Sequence, residues 1–271
     1  MLNISACVFV LQYFDMGKIK KFVIGNWKMN PIDADSAIEI FSGVRGTAAR
    51  AKETRTIIAP PFIFLNTLTR MGNDKNISFG AQNCYFEEKG AYTGEISPTM
   101  IKGMSADYCI IGHSERRSLG ETNDIVNCKV RAALRNGLTV ILCIGEAERD
   151  AEGVYLGFLE TELREGLASV TKKQLPQLLI AYEPIWAIGK SAEKSCAPRD
   201  VHEMVILVRK VLKDIFRVNA ALEVPVVYGG SVAAQNTEEL VREGNVNGLL
   251  VGGASLVVAN FCKIIEIVDA L

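Results

Sequence analysis

Of the residues in this chain that could do chemistry, the carboxylate of Glu183 has the most telling neighbours. It follows the apolar run Leu178-Leu179-Ile180-Ala181, which reads as a buried strand, and it precedes Pro184, which cannot continue a ladder. Glu183 is therefore expected at a strand's end. Beyond it, Pro184-Ile185-Trp186 and Ala187-Ile188-Gly189 form a rigid, small and apolar stretch, suited to a flap over a site rather than a solvated turn. A carboxylate under such a flap is a candidate base.

Other polar groups sit directly after apolar runs. Asn26 and Lys28 follow Phe22 to Gly25, and His113 and Glu115 follow Tyr108 to Gly112. Lys28 would by default be one surface charge among 30 basic residues, but two residues past a strand it could polarise an oxygen or steer an anion. A lone histidine usually packs in a core. His113, ahead of Ser114-Glu115-Arg116-Arg117, could instead lie at a helix N-terminus, which favours the neutral imidazole. His202, on a long amphipathic segment, is expected to pack or face solvent. The pairs Gly229-Gly230, followed by Ser231, and Gly252-Gly253 end two consecutive apolar runs. One such pair could simply end a strand. Two together, with a serine hydroxyl and a helix expected from about Ser255, are what phosphate oxygens need, because bare backbone N–H groups can approach them.

The elements that must position these groups recur from Lys21 onward as a short β-branched run, a loop and an amphipathic helix. Strands are expected at Phe22 to Gly25, Thr56 to Ala59, Ile77 to Ala81, Tyr108 to Gly112, Leu138 to Ile144, Leu178 to Glu183, Val224 to Tyr228 and Gly248 to Val251. Helices are expected over Ala34 to Ala51, Pro61 to Met71, Pro98 to Met104, Thr122 to Asn136, Val154 to Val170, Arg199 to Phe216, Ala233 to Glu243 and Leu256 to Leu271. Continuous apolar strands alternating with helices mean a parallel sheet covered on both faces. Eight such units have the size of a closed (β/α)8 barrel, with a doubly wound open sheet as the alternative. The long loop Gln82 to Ser97 is of a length that is usually functional. No linker breaks residues 17 to 271, which are read as one domain.

Composition excludes other classes. At 49% hydrophobic, 23% charged and a net charge of −1, the chain has nothing that would attract nucleic acid or an anionic membrane in bulk. The seven cysteines are odd in number and show no Cys-x-x-Cys pair, so buried thiols in a reducing cytosol are expected rather than disulfides or zinc. With two histidines in the chain, no metal and no cofactor are expected. Residues 1 to 16 stand apart as an N-terminal extension, read as a translation-start artefact, an expression remnant or a poorly ordered tail, with Asn3-Ile4-Ser5 a chance sequon.

Seven segments in order resemble the triosephosphate isomerase family over residues 21 to 271. They are Gly25 to Asn30, Gly80 to Asn83, Gly112 to Arg117, Leu142 to Glu146, Ala181 to Gly189, Tyr228 to Val232 and Leu250 to Ser255. The family is a standard worked case of pKa tuning and lid closure, and its fold and chemistry are carried over as implications. The resemblance implies a single-domain TIM barrel and a cytoplasmic, glycolytic and gluconeogenic enzyme that interconverts dihydroxyacetone phosphate and D-glyceraldehyde 3-phosphate through an enediolate. It implies that Glu183 shuttles the proton, that His113, Asn26 and Lys28 polarise the carbonyl, and that Glu115 anchors Lys28. Gly189, Ser231, Gly252 and Gly253 would hold the phosphate, Pro184-Ile185-Trp186 would form the first hinge of the lid, and Glu146 and Tyr182 would support Trp186. It also implies a homodimer through the loop around Gln82 to Glu95.

The chain departs from the family in the lid, where Lys190 to Pro198 follows its own sequence and no second hinge is assigned. Another sugar-phosphate barrel enzyme or a catalytically idle phosphate-binding barrel remains as an alternative. An aldolase would need a desolvated Schiff-base lysine. An idle barrel would have lost its base or its carbonyl polarisers.

Overall fold

A computed structural model describes residues 21 to 72, 74 to 189 and 196 to 271. The expectations for the N-terminal extension and for the lid tip fall on residues outside these. Eight parallel strands close on themselves in sequence order: β1 Lys21–Asn26, β2 Thr54–Ala59, β3 Ile77–Ala81, β4 Tyr108–Ile111, β5 Thr139–Ile144, β6 Leu178–Tyr182, β7 Val226–Tyr228 and β8 Gly248–Val251. The last strand returns to the first, with Phe22 opposite Gly248 and Gly25 opposite Val251. The open doubly wound sheet is thereby excluded.

Side-chain alternation divides the core in two. Phe22, Ile24, Ile57, Ala59, Ile110, Ile141, Cys143, Leu179, Ala181, Val227 and Leu250 fill the barrel interior. Their strand neighbours, among them Val23, Ile58, Cys109, Leu142, Ile180, Val226 and Val251, pack outward with the helices. The inward register continues past several strand ends. Two residues beyond Ile24, Ala181, Val227 and Leu250 stand Asn26, Glu183, Gly229 and Gly252, so the pleat itself aims these four positions into the barrel mouth.

The surrounding helices are α1 Ala34–Arg50, α2 Phe62–Arg70, α3 Pro98–Gly103, α4 Ser114–Ser118, α5 Asn123–Arg135, α6 Val154–Gly166, α7 Pro198–Phe216, α8 Ala234–Arg242 and α9 Val258–Ala270. Asp33 caps α1 by accepting from the Ser36 N–H at 2.8 Å. In α7, Val201, Met204, Val205, Val208, Val211 and Leu212 form the buried stripe that their spacing predicts. None of the described helices is long and apolar enough to cross a membrane.

The differences from expectation have local causes. The short α4 is one helix more than periodicity could show. α6 stops at Gly166, a turn with Ser169 left-handed at φ 64° follows, and Lys172–Gln177 then forms a 3-10 segment. β7 starts at Val226 because Pro225 has no N–H to give the ladder. A 3-10 turn over Gly253–Leu256 precedes α9, whose start shifts to Val258. Pairing with β5 also survives Pro184. The N–H groups of Glu183 and Ile185 reach the carbonyls of Ile144 at 2.8 Å and Glu146 at 3.0 Å, and Pro184 occupies the residue between them.

One carboxylate ties the last helix to the barrel. Asp269 Oδ1 accepts from the backbone N–H groups of Lys52 at 2.9 Å, Glu53 at 2.8 Å and Thr54 at 3.0 Å, where β2 begins. Asp269→Ala is expected to cost about 1.5–3 kcal/mol, as charge-assisted bonds of this type do, read from the urea unfolding midpoint.

Candidate active site

At the carboxyl end of the barrel is a cavity of about 310 Å³, lined by Asn26, Lys28, His113, Glu183, Ile188, Gly189, Gly229, Gly230, Ser231, Val232, Leu250, Gly252, Gly253 and Ala254. That size is at the lower end for small-molecule sites. Eight of the nine residues singled out from sequence line it. The ninth, Glu115, lies just behind Lys28.

Glu183 is 1% exposed. Its Oε2 accepts from the Ser114 N–H at 2.9 Å, and its Oε1 lies 3.2 Å from His113 Nε2. That second contact lacks the alignment of a hydrogen bond, and among the described residues Oε1 has no donor. One oxygen is therefore fixed and the other is open to a proton. Two glycines make room for this carboxylate. A Cβ on Gly229 would stand 2.9 Å from Glu183 Cγ, and one on Gly145 would stand 1.8 Å from the Glu183 carbonyl oxygen. Beneath Glu183, burial and then the adjacent Glu183 charge push the Cys143 thiol well above its ordinary range, so the floor is a neutral thiol.

His113 caps α4. Its Nδ1 accepts from the Glu115 backbone N–H at 3.1 Å, which requires a lone pair there and puts the ring hydrogen on Nε2, toward Glu183 and the cavity. Asn26 Oδ1 accepts from the Lys28 N–H at 3.0 Å, which leaves its NH2 to donate. Lys28 adopts a left-handed backbone at φ 54°, a conformation that costs free energy in a non-glycine residue. Gln82 holds it there by donating from Nε2 to the Lys28 and Ala59 carbonyls, both at 2.8 Å. The Lys28 Nζ meets Glu115 Oε1 at 2.6 Å. Gly252 faces the lysine, since a Cβ there would lie 3.4 Å from Lys28 Cε. Gly253 has open space where a Cβ would be, and Ser255 is buried with its hydroxyl on the Gly252 carbonyl at 2.6 Å.

The near end of the flap is anchored from below. Glu146 Oε1 accepts from Tyr182 Oη at 2.8 Å, Arg149 Nε at 2.9 Å and Trp186 Nε1 at 3.0 Å. Trp186 belongs to a 3-10 turn, Ile185–Ala187, and Gly189 at φ +93° ends the described part of the flap.

A model of the triosephosphate isomerase family matches residues 21–268. The chain belongs to the triosephosphate isomerase family. Among its relatives, the triosephosphate isomerase of Thermoanaerobacter sp. (strain X514) is 39% identical over 91% of this chain and 99% of its own. That of Chloroherpeton thalassium is 40% identical over 91% and 98%. The crystal structure of triosephosphate isomerase from Bartonella henselae superposes with a TM-score of 0.80 at 33% identity, covering 92% of this chain and 99% of that one.

Within this triosephosphate isomerase framework, several contributors lie inside the family-like segments, but sequence alone assigned them no role of their own. The Ser114 N–H works through its backbone, and Gly145 is seen to matter only when β5 and β6 are placed side by side. Gln82 reads as part of the long loop, whereas here it clamps Lys28. Gly145→Ala is expected to push the Glu183 backbone aside and lower kcat by about 10²-fold or more, the scale of a displacement of about 1 Å at a reacting group. Steady-state kinetics alongside circular dichroism would separate this from unfolding.

Proposed function

We propose that the chain interconverts dihydroxyacetone phosphate and D-glyceraldehyde 3-phosphate, with Glu183 as the proton shuttle and His113, Lys28 and Asn26 as the electrophilic side of the site. The observation that carries these roles is the asymmetry of Glu183, a dry carboxylate with one oxygen held and the other open beside a donor-ready imidazole.

A carbon acid next to a carbonyl is weak, so its base must be desolvated and aligned. The charge that develops on oxygen must meet donors already in place. Glu183 Oε1 takes the proton from the carbon beside the carbonyl. The His113 Nε2–H, the Asn26 NH2 and the Lys28 ammonium face the oxygens that gain charge in the enediolate. Glu183 then returns the proton to the neighbouring carbon, while the hydroxyl proton leaves the oxygen that becomes the new carbonyl and reaches the former carbonyl oxygen by way of His113 Nε2, which exchanges ketose for aldose with no net redox change. Gly189, Ser231, Gly252 and Gly253 hold the phosphate from the opposite wall. An enediolate carrying a phosphate at the next carbon tends to eliminate it, and the apolar flap keeps water and free rotation from that step.

The alternatives fare worse on the same geometry. Lys28 is paired with Glu115 and so is not the free amine that Schiff-base chemistry needs. An idle barrel has no reason to keep the Glu183 carboxylate, the His113 imidazole, the Lys28 ammonium and the Asn26 amide together in one cavity. Glu183→Asp retracts the base by about one C–C bond and is expected to lower kcat by two or more orders of magnitude, with KM little changed. A coupled assay from glyceraldehyde 3-phosphate measures it, and near-normal turnover would assign the base elsewhere.

The loop after β1 supports the reading of a homodimer. Met29 and Ile32 are 93% and 96% exposed, and a second cavity of about 270 Å³ opens on the Gln82 to Ser97 loop, lined by Phe62, Gln82, Cys84, Glu95, Ile96 and Arg116 among others. Bare apolar side chains and a recess of mixed polar and apolar lining on one molecule suit a two-fold, self-complementary contact. Because Gln82 lines that recess and also holds Lys28, pairing would stiffen the site. Sedimentation is expected to give a dimer, with Met29→Glu shifting it to monomer and reducing turnover. A monomeric parent chain would refute this.

A further inference from the structure

Glu162 is a buried carboxylate on α6 that the proton shuttle does not use, and its two oxygens have different partners. Oε2 accepts from the Gly145 N–H at 2.9 Å, and Oε1 lies 3.2 Å from Arg117 Nη1. Each partner leads to a reacting group. Gly145 packs its Cα against the Glu183 carbonyl so closely that no side chain fits between them. Arg117 donates from Nε to the Gly112 carbonyl at 2.8 Å, and Gly112 is the residue before His113. We propose that Glu162 is a positioning residue for the isomerisation, a buried bracket that sets the backbone beneath Glu183 and the turn beneath His113 at the same time. The inference rests on the reading of Glu183 and His113 given above.

The charges around it make the bracket respond to pH. Arg117 reaches it from α4, Glu146 and Cys143 from the end of β5, and Glu183 from the end of β6. α5 offers the neutral Asn123, which accepts from Arg117 Nη1 at 2.6 Å and donates to the surface residue Glu165 at 2.8 Å. Burial, helped by the Glu183 and Glu146 charges, pushes the Glu162 carboxyl up to about 7 against the pull of Arg117 and the Gly145 N–H. Through the neutral range Glu162 thus passes from a neutral acceptor to the charged partner of Arg117, and the base and the imidazole are held differently on the two sides.

The test compares the parent chain with E162Q and E162A. E162Q keeps an acceptor for Gly145 but cannot ionise, so kcat in the parent is expected to show an inflection near pH 7 that E162Q lacks, with KM within about twofold because the phosphate wall is untouched. E162A leaves the Gly145 N–H without its acceptor and Arg117 without its buried counter-charge, and is expected to lower kcat roughly tenfold. A second readout needs no turnover. The folded carboxyl holds its proton more tightly than the unfolded one, so its stabilising contribution is present below the unfolded pKa and lost as pH rises through 7. Urea midpoints of the parent are therefore expected to fall relative to E162Q between about pH 5 and pH 8. Should E162A fail to fold, E162Q alone decides. Superposable pH profiles for the parent and E162Q, in turnover and in stability, would overturn the proposal. Normal turnover in Glu183→Asp would instead overturn the assignment of the base on which it rests.

Discussion

Glu183 is a charge taken out of water, and much of the surrounding structure follows from what that costs. Burying a carboxylate carries a penalty of several kcal/mol unless donors replace the lost hydration. Here one backbone donor, the Ser114 N–H, replaces part of it, and the imidazole of His113 lies across the other oxygen. Full compensation would need further donors. The site stops short of that, and the deficit is stable only because the barrel wall around it is built without slack. Gly145 and Gly229 have no Cβ because Glu183 occupies that volume. The same economy keeps Lys28 in a left-handed backbone, with its carbonyl held by Gln82.

The inward aim of Asn26 and Glu183 was legible in the sequence because it needs only the two-residue alternation of a strand. Once Ile24 and Ala181 are assigned to the interior, the residues two places on must point into the mouth. The outer helices were legible for a similar reason, since α7 is long enough for its apolar stripe to repeat. Elements of little more than one turn could not be read in that way, because a stripe needs two turns to repeat. α4 spans five residues, and the 3-10 turn before α9 spans four. Both end up beside the cavity, so the least legible part of the fold is the part that shapes the site.

Glu162 marks a different limit. In sequence it is one of several acids on α6, with Glu160 and Glu165, and an acid on an amphipathic helix reads as solvent-facing. Its phase says otherwise, because Leu159, Glu162, Leu163 and Gly166 form the i, i+3, i+4, i+7 stripe that packs inward. Lys129 stands in the same relation to Val126, Val130 and Ala133 on α5, and it is buried against Glu121 and Asn83. A charged residue in phase with the apolar stripe was the available signal. What sequence could not supply was the identity of its partner, which depends on chain segments brought together only by barrel closure.

The seam between β5 and β6 binds Glu183 and the described start of the flap into one mechanical unit. Beyond the strand ends, Glu183 and Ile185 still bond to Ile144 and Glu146, so the Glu183 backbone and the turn after it are one extension of the same ladder. Glu146 then takes Trp186 into a three-donor cluster with Tyr182 and Arg149. Removing Trp186 from its place would leave a buried carboxylate short of a donor, and that cost resists rotation of the turn about Pro184. These bonds keep Ile185 to Ala187 in register with Glu183. The dryness of Glu183 is thus a property of the barrel seam, from which the described start of the flap extends.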